Sequence, residues 1–450
     1  MKTNNLTEGR PWRLLLLFSL PLMAGNIFQQ LYTIVDTAVV GKVLGVEALA
    51  ALGAVEWLNW LALGAIQGFT QGFAILMAQK FGSGEYKRLR QVVANSVFLA
   101  ALCAVILTVL TQGAADGVLT LLHTPKEIKP ISVAYLRILF GGIPVVMAYN
   151  LAASILRSLG NGRTPLVAMV LAALINIGLD LLFVPVFGWG VQGAAAATVL
   201  AQFFSAVYCF WHIRRIDVLR SEGESHRPEQ ALCVRLMLLG APMAFQNAVI
   251  SVGGMIVQTV VNGFGVVFIA GFTATNKLYG LLETAATSYG YAMVTYAGQN
   301  MGAGKGERVA RGMRAAIVIS MITSCVITAL MLIFGRLILS CFITADGGTG
   351  EAALAVAFHY LSIMALCLPV LYLLHVVRSC IQGLGNTVLP MLSGVAEFVM
   401  RTGAALILPA LFGEDGIFYA EVLAWLGADM ILIPSYFYVM KKVFSKTINE

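Results

Sequence analysis

Charged residues are scarce in this chain. Asp, Glu, Lys and Arg make up 11% of its 450 residues, whereas hydrophobic residues make up 59%. Soluble domains carry about 25% charged residues, so a chain this apolar needs a solvent other than water. Long apolar stretches recur from Leu14 almost to the C-terminus, and ~20 such residues in a helix cross the ~30 Å hydrocarbon core. No stretch alternates polar and apolar residues as the strands of an outer-membrane barrel do. The composition predicts an all-α membrane protein.

Motifs that would support an enzyme, a metal site or an ATPase are also missing. The seven cysteines are scattered without a Cys-x-x-Cys, and the five histidines form no ligand motif. Neither a disulfide framework nor a zinc site is therefore expected, and a membrane-embedded transferase is disfavoured. No glycine-rich segment ends in the Gly-Lys-Ser/Thr that cradles phosphate. The chain alone is not expected to use ATP, a metal or an organic cofactor.

The hydropathy pattern predicts twelve transmembrane helices. The first apolar run, residues 14–40, is much longer than the ~7–15 residues of a signal-peptide core, and we interpret it as the first of these helices. The predicted helices are 14–40, 50–78, 92–112, 132–158, 164–187, 190–212, 235–260, 267–297, 311–334, 352–380, 386–411 and 416–440.

The positive charge is distributed as membrane topology requires. With both termini on one side, most of the 29 Lys and Arg fall on that side, which the positive-inside rule identifies as cytoplasmic. The net charge of +7 is thereby explained, and no nucleic-acid partner is expected. We predict a multi-pass protein of a prokaryotic inner membrane with both termini in the cytoplasm.

The chain repeats its own motifs in order. Residues 79–84 (Gln-Lys-Phe-Gly-Ser-Gly) return as residues 299–304 (Gln-Asn-Met-Gly-Ala-Gly), and Leu-Gly-Asn at 159–161 returns at 384–386. Two six-helix halves would enter the membrane in the same sense and surround a central cavity, related by a pseudo-twofold axis. The predicted domains are an N-terminal lobe, 1–212, a cytoplasmic linker, 213–234, and a C-terminal lobe, 235–450.

Acidic residues inside the predicted helices are functional candidates, because an ionisable group in hydrocarbon is costly and usually faces the protein interior. In the first helix Asp36 shares one face with Asn26, Gln29 and Thr33, and in the fifth helix Asp180 lies one turn after Asn176. Both helices run outward, which predicts that the two aspartates lie at similar depth. Such a pair could hold a proton or Na⁺; a structural hydrogen-bond cluster is the alternative. The acids within helices are Asp36, Glu56, Asp180, Glu283, Glu397, Glu421 and Asp429.

The second half contains further polar positions. Glu397 and Arg401 are spaced as an intrahelical ion pair. Glu283 lies on a polar face of the eighth helix with Lys277 turned away from it, so the partner of Glu283 is expected on another helix. His375, in the tenth helix, is either a hydrogen-bonded packing residue or part of a cavity wall. Glu421 and Asp429 receive no role.

The opening Pro21…Asn26…Gln30-Leu-Tyr…Val35-Asp36…Gly41, together with the two repeated motifs, resembles the multidrug and toxic compound extrusion (MATE) family. The resemblance covers nearly the whole chain. It implies two six-helix bundles around a cavity that opens alternately to either side. It also implies efflux of amphipathic, often cationic compounds in exchange for H⁺ or Na⁺.

Within that family the sequence is most similar to the proton-coupled, DinF-like prokaryotic branch. The coupling residues which this resemblance implies are Asp36, Tyr135, Asn150, Asn176, Asp180 and Thr198. The sodium-coupled branch relies on acids in helices 7 and 10, where this chain has Gln246, Asn247 and Gln258, and His375 and Arg378. That departure favours the N-terminal lobe as the coupling site without excluding Na⁺.

The expected partners are small organic substrates and membrane lipid, and a monomer would suffice. A flippase for lipid-linked oligosaccharides is the alternative function, although Lys277, Arg378 and Arg401 are few cations for a polyanionic lipid; a channel is a third. The candidate substrate-cavity residues are Gln29, Met169, Gln246, Glu283, Tyr291 and His375.

Overall fold

The computed structural model describes residues 4–121, 124–220, 227–343 and 348–449. Throughout these ranges the regular structure is helical, as predicted. Two short 3₁₀ helices, Asp217–Leu219 and Glu414–Phe418, accompany thirteen α-helices: α1 Pro11–Leu44, α2 Val46–Gly82, α3 Tyr86–Leu121, α4 Lys129–Gly141, α5 Ile143–Ser158, α6 Arg163–Phe183, α7 Gly190–Ile213, α8 Gln230–Val261, α9 Val266–Gly302, α10 Gly306–Leu339, α11 Gly348–Gly383, α12 Val388–Phe412 and α13 Tyr419–Asn449.

These helices account for the twelve predicted spans. In the described part of the chain ten helices are individually long and apolar enough to cross a membrane, and the bent pair α4 and α5 makes an eleventh. Helix α9 corresponds to the predicted span 267–297; it is 37 residues long, but with the polar residues Asn276, Lys277 and Glu283 it is not among the helices that are apolar enough by themselves. The prediction of an all-α membrane fold is confirmed.

The fourth predicted helix is broken, which corrects its prediction as one continuous element. Its two parts, α4 and α5, meet at Gly142 and are bent by 46°. Pro144 lies in the first turn of α5, where its missing N–H interrupts no hydrogen bond. The bend also brings α7 close: a Cβ on Gly142 would lie 2.4 Å from Cγ2 of Val199. A larger residue at this position would force the Val199 side chain to shift.

The helices form two compact units. Unit 1 comprises the described residues up to Leu6 together with Leu20–Ala248, and unit 2 comprises Thr7–Ser19 and Val249 onwards. Helices α1 and α8 thus each contribute residues to both units. The lobe boundaries predicted from the sequence repeat stay a prediction.

Within unit 1 the helices α2 and α8 approach each other closely. Gly64, Gly68 and Gly72 are spaced one turn apart on α2, and small residues at this spacing let two helix backbones meet. A Cβ on Gly68 would lie 2.3 Å from the backbone nitrogen of Ala244, and one on Gly72 would lie 2.4 Å from Cα of Gly240. The first half of α8 is therefore packed directly against α2.

The start of α8 is also tied to α3 within unit 1. Arg88 donates two hydrogen bonds to the carboxylate of Glu229, at 2.7 and 2.9 Å. These bonds stabilise the ionised form and hold the pKa of Glu229 below its usual range. The backbone amide of Glu229 donates to Oδ1 of Asn95 at 2.8 Å.

The N-terminal segment is bonded in both units. In unit 1 the backbone amide and the side-chain amide of Asn4 donate to the carbonyls of Leu159 and Gly160, both at 3.2 Å. In unit 2 the ammonium of Lys305 donates to the Thr7 carbonyl at 3.1 Å, and Arg308 donates to the Gly9 carbonyl at 3.1 Å.

The repeated Leu-Gly-Asn motif forms the same turn twice. Gly160 and Gly385 both have positive φ, 75° and 92°, which favours glycine over any other residue. The side chains of Asn161 and Asn386 each accept a hydrogen bond from the backbone amide three residues later, at 3.0 and 3.1 Å. These bonds satisfy an otherwise free amide at the start of α6 and of α12.

Candidate functional site

Helices α1 and α6 bring two carboxyl groups together inside unit 1. Asp36 is 8% exposed and Asp180 is fully buried, and the two carboxyl groups are neighbours that interact electrostatically. Oδ1 of Asp36 and both carboxylate oxygens of Asp180 are buried and receive no hydrogen bond from the described residues. Two negative charges buried so close together repel each other, which disfavours ionisation of both carboxyl groups at once.

Amide and hydroxyl groups border this pair. Asn176, one turn before Asp180 on α6, is 1% exposed, and its Nδ2 donates to Oγ1 of Thr198 at 3.4 Å. The Thr198 hydroxyl donates in turn to the Ala194 carbonyl at 3.1 Å within α7. Oδ1 of Asn176 is buried without a donor among the described residues, so it adds another unoccupied acceptor.

Two tyrosines complete the wall of the site. Tyr135, on α4, is 8% exposed and lies within electrostatic range of both aspartates. Tyr32, one turn before Asp36 on α1, is 9% exposed, and the Gln29 and Gln202 side chains are neighbours of its hydroxyl. The candidate coupling site is thus formed by α1, α4, α6 and α7.

Sequence reasoning missed Tyr32 and Gln202, although a signal for both was present. Tyr32 precedes Asp36 by four residues and Gln202 follows Thr198 by four, so each shares a helix face with a residue that was selected. Selecting polar neighbours one turn away on the same face would have found both.

Three other selected residues are hydrogen-bonded within their own helix or are buried. Asn150 donates to the Val146 carbonyl of its own helix at 2.9 Å. Met169 is buried where α6 faces Gly25 of α1. Gln246 is buried on α8. Their roles as coupling or cavity residues stay predictions.

Unit 2 contains a buried chain of four charged residues. Glu397 binds Arg378 at 2.7 Å and Arg401 at 3.0 Å, and Arg401 also binds Glu421 at 2.7 Å. The predicted Glu397–Arg401 ion pair is confirmed. Arg378 and Glu421 were not predicted as its partners, because they lie on α11 and α13.

A half-exposed acid lies on the neighbouring helix α9. Oε1 of Glu283 is 3.4 Å from Nε2 of His375 on α11, with side-chain exposures of 35% and 17%. The expectation that Glu283 has its partner on another helix is confirmed. Tyr291 is half-buried two turns further along α9. The substrate-cavity role of these three residues stays a prediction.

The arrangement in unit 1 is suited to binding a small cation. Carboxylate, amide and hydroxyl oxygens are the ligands that protons and hard monovalent cations prefer. In the residues that the structure describes, no group of three or more His, Cys, Asp and Glu side chains is placed to hold a metal ion. The unoccupied acceptors have the chemistry to take up one proton or one monovalent cation.

Comparison with known proteins agrees with this architecture. The MatE family model matches residues 21–182 and again residues 242–406, once in each half of the repeat. The probable multidrug resistance protein YpnP of Bacillus subtilis is 27% identical over 418 residues, 93% of each chain. The probable multidrug resistance protein NorM of Thermotoga maritima is 26% identical over 427 residues, 93% of this chain and 89% of the relative.

A solved structure extends the agreement to the fold. It is the outward-facing conformation of a multidrug resistance MATE family transporter of the MOP superfamily, with a TM-score of 0.91, 21% identity and 99% of each chain covered. At that identity the likeness concerns the fold alone. Because the family model fits both halves and the relatives match almost end to end, this chain belongs to the MatE family of membrane transporters.

Proposed function

We propose that this protein is a secondary active multidrug exporter that exchanges amphipathic or cationic organic compounds for H⁺, with Na⁺ as the alternative coupling ion. The observation that carries the proposal is the buried pair of Asp36 and Asp180, three of whose four carboxylate oxygens accept no hydrogen bond from the described residues. The names of the relatives, which are multidrug resistance proteins, support the export of drugs. The charge distribution supports an orientation with both termini in the cytoplasm, and the bacterial relatives support a prokaryotic plasma membrane.

A buried carboxylate pair couples transport to protons because its charge depends on access to water. Desolvation and mutual repulsion disfavour two negative charges, so the pair takes up a proton when it is closed off and releases one when it is hydrated. A cationic substrate or Na⁺ would compensate the same charge, so proton and substrate compete for it. One charge moved through ~100 mV supplies ~2.3 kcal/mol, enough for a roughly fifty-fold substrate gradient.

Helix α1 is the element through which protonation would act on the transport cycle. It carries Asp36 and contains Pro21. Its residues up to Ser19 belong to unit 2, and those from Leu20 onwards belong to unit 1. A proline inside a helix removes one backbone hydrogen bond and favours bending there. In the proposed cycle, neutralisation of Asp36 changes the packing of α1, the helix bends near Pro21, and substrate is released on the outer side by alternating access.

The test is efflux of a fluorescent cationic dye in inverted vesicles under separate H⁺ and Na⁺ gradients. Wild type is expected to transport dye with the proton gradient, and Asp36→Asn is expected to lose at least about 90% of that rate, because the amide cannot exchange a proton. Asp429→Asn is the matched control. Asp429 is also a buried aspartate with an unpartnered Oδ1, but it lies in unit 2, so its variant should keep most of the rate.

Three results would contradict this proposal. Proton-driven efflux by Asp36→Asn at the wild-type rate would remove the coupling role of the pair. Loss of efflux in Asp429→Asn alone would move the coupling site to unit 2. Failure of both gradients to move any dye in wild type, with normal membrane insertion, would reject drug efflux and favour the flippase.

A further inference from the structure

Unit 1 has a cavity at one end of the bundle that the coupling site does not use. It has a volume of about 600 Å³ and lies between α3, α4 and α7. Its apolar wall is formed by Pro130, Val133, Ala134 and Ile138, and its polar groups are Asp116, Lys129, Arg137 and Gln192.

The charges in this cavity are not balanced. The ammonium of Lys129 contacts Oδ1 of Asp116 at 3.0 Å and donates to the Thr120 hydroxyl at 2.9 Å, so Lys129 and Asp116 neutralise each other. Arg137 is exposed, and its guanidinium makes no hydrogen bond or ion pair with the described residues. The cavity therefore offers one uncompensated positive charge.

The depth of Arg137 matches the edge of the hydrocarbon. Helix α3 has 36 residues and is thus ~54 Å long. When centred on a ~30 Å core it extends ~12 Å beyond each face. Nε2 of Gln112 on α3 donates to the Arg137 carbonyl at 2.6 Å, which places both residues ~12–14 Å from the helix ends. The guanidinium thus lies where phospholipid phosphates meet the acyl region.

We propose that this cavity binds the headgroup of an anionic phospholipid, with its phosphate on Arg137 and its glycerol and upper acyl carbons against Val133 and Ile138. An arginine fork matches a phosphate geometrically and is less strongly hydrated than an ammonium. A zwitterionic headgroup also carries a cationic group, which needs an acid as its partner. It fits less well here, because Asp116, the acid of the cavity, is already paired with Lys129.

The test is native mass spectrometry of the purified full chain with phosphatidylglycerol or phosphatidylethanolamine added to the detergent. Wild type is expected to retain one phosphatidylglycerol molecule more strongly than phosphatidylethanolamine. Arg137→Gln should weaken that retention about tenfold, and Arg137→Lys should weaken it less, because the charge remains while the fork is lost. Lys126→Gln removes an equal charge from an exposed residue near the start of α4 that does not line the cavity, and it should behave as wild type.

Several outcomes would overturn this assignment. Equal retention of phosphatidylglycerol by wild type and Arg137→Gln would remove Arg137 from the site. Equal retention of the two lipids by wild type would reject an anionic headgroup. Displacement of the lipid by millimolar inorganic phosphate would assign the cavity to a free anion. A monodisperse profile of Arg137→Gln on size exclusion shows that a loss of retention is not a loss of folding.

Discussion

Residues Arg378 and Arg401 illustrate how unit 2 accommodates charge inside the membrane. Each arginine shares the carboxylate of Glu397, and Arg401 has Glu421 as a second partner. A buried charge is tolerated only with a compensating partner and satisfied hydrogen bonds. Glu397 is therefore the residue on which the compensation of both arginines depends.

Replacing Glu397 should destabilise the protein strongly. Glu397→Gln leaves Arg378 without its carboxylate and Arg401 with one acid instead of two, and removal of one partner from a buried pair costs roughly 3–5 kcal/mol. The melting temperature of the detergent-purified protein measures the effect. Glu307→Gln breaks the exposed pair with Arg311 and should cost less than about 1 kcal/mol. Equal melting of the two variants would contradict the central role of Glu397.

Spacing along one helix could be predicted from the sequence, whereas contacts between helices could be predicted only in part. The Glu397–Arg401 pair follows from the helical period, and the meeting of Asp36 with Asp180 was anticipated from topology and depth. Arg378 and Glu421 could not be paired in advance, because the rotation of α11 and α13 about their axes is set by packing. The same limit applies to Glu283, for which a partner was expected but His375 was not identified.

At the scale of helices, hydropathy predicted the spans but underestimated the lengths of most of them. The helix predicted as 50–78 is α2, which extends from Val46 to Gly82. The helix predicted as 311–334 is α10, which extends from Gly306 to Leu339. Hydropathy marks the part of a helix in hydrocarbon, whereas a helix continues into the headgroup region until a turn ends it. For α2 that turn includes Gly84, which has a positive φ of 74°.

One helix break in the first half has no counterpart in the second. Pro144 follows Gly141 and Gly142 and begins α5, whereas Pro369 follows Leu366 and Cys367 and lies inside the continuous helix α11. Proline alone therefore does not break a span here. The two glycines make the difference, because both lower the local helix propensity and Gly142 leaves the space that Val199 fills.

The contact between α2 and α8 predicts a position-specific effect on stability. Gly68→Val places a side chain against the backbone of Ala244, which cannot move aside as a side chain would, and should cost at least about 1–3 kcal/mol. Gly53→Val lies on the same helix and is the control, since a Cβ there meets nothing within 4 Å. Melting temperatures of the two variants, measured in the same detergent, should therefore differ. Comparable values would show that α2 and α8 are not in close contact.

At the scale of the whole molecule, the N-terminal segment has more structural importance than its polar composition suggests. Leu6 and Thr7 are 2% and 4% exposed, and the segment from Asn4 to Gly9 is bonded in both units. A sequence reading that looks for apolar runs treats such residues as a tail. Their burial depends on contacts with residues far along the chain, which no local pattern contains.

Deleting residues 2–9 should therefore lower the stability of the whole protein. The deletion leaves Lys305 and Arg308 without their carbonyl acceptors, and hydrogen bonds to charged groups contribute ~1.5–3 kcal/mol each. The melting temperature should fall clearly, and Lys305→Met in the full chain should reproduce part of that fall. An unchanged melting temperature after deletion would show that these bonds do not stabilise the protein.

The bond between Lys305 and Thr7 joins residues 298 positions apart. A ribosome adds ~5–20 residues each second, so Thr7 emerges roughly 15–60 s before its partner exists. When α7 has been synthesised, unit 1 is still incomplete, because the first half of α8 also belongs to it. The order of synthesis therefore differs from the order of assembly, and the earliest residues to be translated are among the last to reach their final contacts.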